Sequence, residues 1–120
     1  MDTIINYNPS GDPLFIRFKA NNLSIAGVYN IDLDKKGSLN TLERYNGECH
    51  QPTNHFFPTP ASILNDIKIL MVIIATGKIS NYDMGFEIYQ GNQLLKYIGQ
   101  TGSLNGNEEY IVLTAQLKQA

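Results

Sequence analysis

The sequence predicts an all-β domain: a single antiparallel β-sandwich, jelly-roll-like or immunoglobulin-like, with about seven or eight strands. Three observations carry this. Apolar and polar residues alternate with period two along most of the chain, and no long stretch shows a clean helical period. Gly and Asn interrupt the alternation at the spacing of short strands. At 120 residues and 42% apolar content the chain is large enough for one hydrophobic core and too small for two, so residues 1–120 form one domain.

The first strand is expected around Thr3 to Tyr7. From Leu14 to Ala20, the residues Leu14, Ile16, Phe18 and Ala20 alternate with Phe15, Arg17 and Lys19. After Asn21-Asn22, a turn signal, Tyr29, Ile31 and Leu33 continue an alternation that begins at Leu23. These two runs predict an antiparallel hairpin with one face toward the core. A shorter strand is expected from Leu39 to Tyr45.

Gly91-Asn92 suits a two-residue hairpin turn, because glycine reaches positive φ without steric cost. That turn sets a register with Tyr89 opposite Leu94, Ile88 opposite Leu95, Glu87 opposite Lys96 and Phe86 opposite Tyr97. The Gly-rich stretch from Gly99 to Asn107 lacks the lysine of a phosphate-binding loop and any strand-to-helix context. It is expected to be a flexible connection to the last strand.

Two runs are apolar on both faces. Ile67, Ile69, Met71, Ile73 and Ala75 lie on one side of the 67–76 run, with Leu70, Val72 and Ile74 on the other. Residues 110–117 repeat the pattern, with Ile111, Leu113, Ala115 and Leu117 opposite Tyr110 and Val112. A strand apolar on both faces needs cover on both, either from a crossing loop or from a second subunit. Leu70, Val72 and Ile74 are therefore the candidate oligomer interface.

The segment from Asn46 to Ala61 holds three prolines, both histidines, Cys49 and the pair Phe56-Phe57. A long irregular stretch in a compact domain is uncommon and often functional. Asn46, His50, Asn54, His55 and Phe56 are the candidate ligand residues, forming a shallow polar cleft for a carbohydrate or other neutral polar ligand. The competing expectation is that Phe56 and Phe57 anchor a loop crossing one sheet. Cys49 with a histidine as nucleophile and base is a weaker possibility, since no third orienting group is identifiable. Cys49, His50 and His55 as a metal site lack a second ligand pair.

Asp32-Leu33-Asp34-Lys35-Lys36-Gly37-Ser38-Leu39-Asn40-Thr41-Leu42-Glu43 resembles the EF-hand calcium loop at its first, third, sixth and last positions. Lys36 replaces an oxygen ligand and the flanks read as strands, so a turn at Lys35-Lys36-Gly37 is the expectation, with no metal and no cofactor.

Eleven acidic against nine basic residues, net charge −2, leave no general footprint for nucleic acid or anionic lipid. No basic, apolar leader opens the sequence and no apolar run approaches the ~20 residues of a spanning helix. A lone cysteine makes no internal disulfide, and a cytoplasmic location is the default. The sequence thus predicts a non-catalytic, self-associating recognition or assembly module, a homo-oligomer. A lectin-like binder of a neutral polar ligand comes second, and a small enzyme built on residues 46–61 third.

Overall fold

Nine strands fill most of the chain in a computed structural model that describes residues 3–21, 26–35, 41–76, 80–104 and 108–120. They are β1 (Thr3–Tyr7), β2 (Leu14–Ala20), β3 (Ala26–Lys35), β4 (Thr41–Glu48), β5 (His55–Phe56), β6 (Ile67–Thr76), β7 (Ser80–Gln90), β8 (Gln93–Leu104) and β9 (Glu109–Gln119). One sheet has the order β1-β9-β6-β3-β4 and the other β5-β2-β7-β8. All pairings are antiparallel except that of β1 with β9. The sheets enclose one core, so the fold is all-β and sandwich-like. The only helical element among the described residues is a 3-10 turn at Ala61–Leu64.

The alternation places the core as expected. Leu14, Ile16 and Phe18 of β2, Tyr29, Ile31 and Leu33 of β3, and Ile67, Ile69, Met71, Ile73 and Ala75 of β6 are all buried. Ile111, Leu113, Ala115 and Leu117 of β9 join them from the same sheet as β6, and Met84, Phe86 and Ile88 of β7 from the other. Period two fixes which side chains point inward, and the structure follows it.

Strand partners differ from two expectations. The runs at 14–20 and 23–33 do not form the expected hairpin, because β2 and β3 belong to different sheets. The Asn21 N–H donates to the Asp83 carbonyl (2.9 Å), extending the pairing of β2 with β7. Residues 22–25, between β2 and β3 in the sequence, lie outside the described residues. Phe18 and Tyr29 consequently stack across the interior, 5.6 Å between centroids and 8° between planes. The two apolar faces bury each other by facing, not by lying side by side.

The β7–β8 hairpin turns at Gly91 (φ 58°) as expected, with Gln90 opposite Gln93 and Tyr89 opposite Leu94. Beyond Ile88 the register shifts by one, so Ile88 pairs with Lys96, Glu87 with Tyr97 and Phe86 with Ile98. A β-bulge at Leu95 absorbs the extra residue. The cause is parity: Leu95 and Ile98 both pack on the core but are three residues apart, which an unbroken period of two forbids. The bulge also brings Gly85 opposite Gly99, where a Cβ on Gly85 would collide with the Ile98 carbonyl oxygen. The stretch from Gly99 is not a loose connection, because β8 continues to Leu104. Residues 105–107 of that stretch lie outside the described residues.

Candidate functional site

Two regions carry features beyond the core: the edge of the sandwich spanned by residues 45–57, between β4 and β5, and the outer face of the five-stranded sheet. The first grows from the hand-over between sheets. After β4 the chain turns at Cys49-His50, and the Cys49 N–H donates to the Gly27 carbonyl (3.0 Å). The chain then joins the opposite sheet as the short edge strand β5, with His55 opposite Ile16 and Phe56 opposite Phe15. The next residue, Phe57, donates its N–H to the Leu14 carbonyl (2.9 Å) and buries its ring. The segment does not cross a sheet face, as one expectation had it; it spans the gap between β4 and β5, the edge strands of the two sheets. Phe57 is buried there, and Phe56 points the other way.

Ile16 faces inward, so His55 opposite it also faces inward. Its Nε2 lies 2.7 Å from the Tyr29 hydroxyl and 3.3 Å from Thr53 Oγ1. Burial holds the His55 pKa below its ordinary value of 6.5 and pushes that of Tyr29 up. Both shifts favour the neutral forms of the pair, and a neutral imidazole that accepts the tyrosine proton at Nε2 carries its own proton on Nδ1. Tyr45 flanks this pair, 5.4 Å from the His55 ring and 6.2 Å from that of Phe57. Its hydroxyl donates to the Phe56 carbonyl (2.8 Å), linking β4 to β5. Burial and the charge of Glu43 raise the Tyr45 pKa to about 12.

A pH dependence follows. The unfolded chain binds a proton at His55 near pH 6.5, while the folded chain resists it to lower pH. The His55 contribution is therefore whole above pH 6.5 and declines as pH falls through the folded pKa below it. The urea midpoint of the wild type is expected to fall between pH 7 and pH 5.5 more steeply than that of His55→Gln. Parallel profiles would show that His55 does not titrate against the fold.

Cys49 is buried, and desolvation raises its pKa from 9.0 to about 11. Its thiolate population at neutral pH is about a hundredfold below that of an ordinary thiol, the reverse of an activated nucleophile. A disulfide reagent is expected to modify the native thiol at least about a hundredfold more slowly than the urea-unfolded one. Equal rates would contradict the burial.

The five candidate ligand residues fall on different surfaces. His55 points inward, and Phe56 stands on the outer face of the four-stranded sheet, 59% exposed. Asn46 lies opposite Asn30 on the outer face of the other sheet. His50 is exposed at the turn, 3.6 Å from a Glu48 carboxylate oxygen, and Asn54 is exposed. Only His55 and Phe56 share an element. Tyr29, Tyr45 and Thr53, which surround His55, were not singled out by the sequence, where the tyrosines read as ordinary strand positions.

Phe56 begins an apolar row crossing its sheet through Phe15 and Tyr89 to Leu94. Phe15 and Tyr89 stack 4.9 Å apart at 6°, and Phe56 tilts against Phe15 at 5.2 Å. Phe15 and Tyr89 each spend a ring face on the other, while the Phe56 ring stays open to solvent. Asp32 and Asp34 of the calcium-like loop lie on β3 and Glu43 on β4, two paired strands, and Asp32 accepts from Arg44 Nε (2.8 Å). The expected turn at Lys35-Lys36-Gly37 falls largely within residues 36–40, outside the described residues. No cluster of three metal-ligating side chains occurs among the described residues, and no helix among them is long and apolar enough to cross a membrane.

The second region is the outer face of β3, β6 and β9. Register aligns Val28, Ile74 and Tyr110 in one row, Asn30, Val72 and Val112 in the next, and Asp32, Leu70 and Thr114 in a third. Six apolar side chains thus form one patch, with Val28 45%, Val112 56% and Tyr110 65% exposed. Leu70, Val72 and Ile74 are half-buried at its centre. Arg44, Asn46 and Glu48 of β4 edge it on one side.

No protein-family model matches the chain, and neither a curated protein nor a solved structure is detectably similar to it.

Proposed function

We propose that the protein is a non-catalytic self-associating module, whose assembly surface is the outer face of the five-stranded sheet and whose partner is a second copy of the chain. The observation that supports this reading is the contiguous patch of Val28, Leu70, Val72, Ile74, Tyr110 and Val112 across three neighbouring strands. Its surround is polar and of both signs, with Asp32, Arg44 and Glu48 on one side and Lys68 beyond Leu70. An apolar centre with a polar rim is the anatomy of a protein interface. A rim of mixed charge gives an anionic membrane little to hold.

Size supports a second copy. Strands about 4.8 Å apart, each rising about 3.3 Å per residue, give a five-stranded face on the order of 20 by 30 Å. That is about 600 Å², the low end of the ~600–1,000 Å² per partner that standard interfaces bury. Two such faces pack as aligned sheets about 10 Å apart, with side chains interdigitating about a two-fold axis. By sedimentation equilibrium, Leu70→Lys and Val72→Lys are expected to lower the mass of the wild-type particle. Unchanged mass in both variants removes the reading.

A second reading, a lectin-like binder of a neutral polar ligand at residues 46–56, is favoured by one observation: the Phe56 ring stands 59% exposed on the surface. A glycan array without hits would discard it.

A further inference from the structure

Four strands border the two sheets, and three of them are poor templates for pairing. β5 has two residues and β1 five, while β4 carries Glu43, Arg44 and Glu48 and an irregular register. The fourth is β8, twelve residues long and paired among the described residues with β7 alone. Natural edges are guarded by charge, proline, bulges or shortness. On β8 the bulge and Lys96, its single charged residue, sit at one end. From Tyr97 to Leu104 the strand has neither charge nor proline.

The direction of its backbone groups follows from a neighbour. The Asp83 carbonyl accepts the Asn21 N–H, so the main-chain groups of Asp83 point toward β2. Thr101, opposite Asp83, is then in a non-hydrogen-bonded pair, and its own N–H and C=O point to the open side. Tyr97, Gly99 and Ser103, at steps of two, point the same way. Gln100 and Ile98 are bonded toward β7.

We infer that this edge pairs antiparallel with the β8 edge of a second copy, about a two-fold axis at Gln100, as an interface separate from the outer face of the other sheet. Only registers that keep inward residues opposite inward residues preserve both faces of the joined sheet. With the axis at Gln100, Tyr97 meets Ser103 of the second copy and Gly99 meets Thr101. All four outward-pointing residues then exchange hydrogen bonds, and no like charges are opposed. Two different two-fold contacts on one chain also extend assembly beyond the dimer.

Amide hydrogen exchange on the wild-type chain tests the pairing. From low micromolar to near-millimolar protein, the amides of Gly99, Thr101 and Ser103 are expected to slow at least about tenfold. Those of Ile98 and Gln100 are expected to stay as they are. Equal rates at both concentrations for the first three amides overturn the inference. Thr101→Pro removes one outward N–H at a position where an edge strand tolerates proline. Introduced into Val72→Lys protein, it is expected to reduce an edge-paired dimer to monomer with an unchanged far-UV spectrum. A folded double variant that keeps the mass of its parent also overturns it. The outer-face reading is judged separately: if Val72→Lys leaves the wild-type mass unchanged, that reading fails while the exchange result still decides this one.

Discussion

Phe57→Ala is expected to destabilise the fold by about 3–5 kcal/mol, the usual cost of deleting a buried phenylalanine and leaving its cavity. The ring is 3% exposed, lies between the edge strands of the two sheets and stacks on Tyr45 at 6.2 Å. Its neighbours are anchored by backbone pairing and by the Tyr45–Phe56 hydrogen bond, so the site has little freedom to collapse. Phe56→Ala, one residue away, removes a ring that is 59% exposed and is expected to cost less than about 1.5 kcal/mol, mainly its contact with Phe15. Urea unfolding of the two variants measures the difference. Similar losses would mean that Phe56 is buried in the working protein, as it would be under a partner or ligand.

The second large effect is on assembly. A lysine at Val72 would put an ammonium at the centre of a desolvated sheet-on-sheet interface, once from each copy. Without partners for the charge the cost is several kcal/mol, and about 3 kcal/mol already weakens association more than a hundredfold. In the free chain the same lysine sits on an exposed sheet surface and extends to water. The fold is therefore expected to survive with its urea midpoint close to wild type. Ile73→Lys, one residue along and fully buried, is expected to unfold the chain. The contrast between neighbouring positions separates a surface used for assembly from a wall of the core.

Much of this was legible in the sequence. Alternation identified the buried face of β2, β3, β6 and β9, and Gly91 marked its hairpin. The two-faced apolar character of 67–76 and 110–117 predicted a face in need of cover. What alternation does not encode is the neighbour: the same inward pattern serves strands paired side by side or stacked across the core, so it does not separate a β2–β3 hairpin from strands in opposite sheets. Nor could it show that β6 and β9 are adjacent, or that Val28 of β3 extends their patch. The odd spacing of Leu95 and Ile98 was a readable sign of the bulge. The surroundings of His55 were unreadable, because Tyr29, Tyr45 and Thr53 converge only through the passage of the chain between sheets.

Sedimentation equilibrium in the Thr101→Pro background, where the β8 edge is closed, tests the outer-face assembly most directly. The account predicts a folded dimer for Thr101→Pro and a folded monomer once Val72→Lys is added. A Thr101→Pro protein already monomeric at high micromolar concentration, or a double variant that remains dimeric, would contradict it.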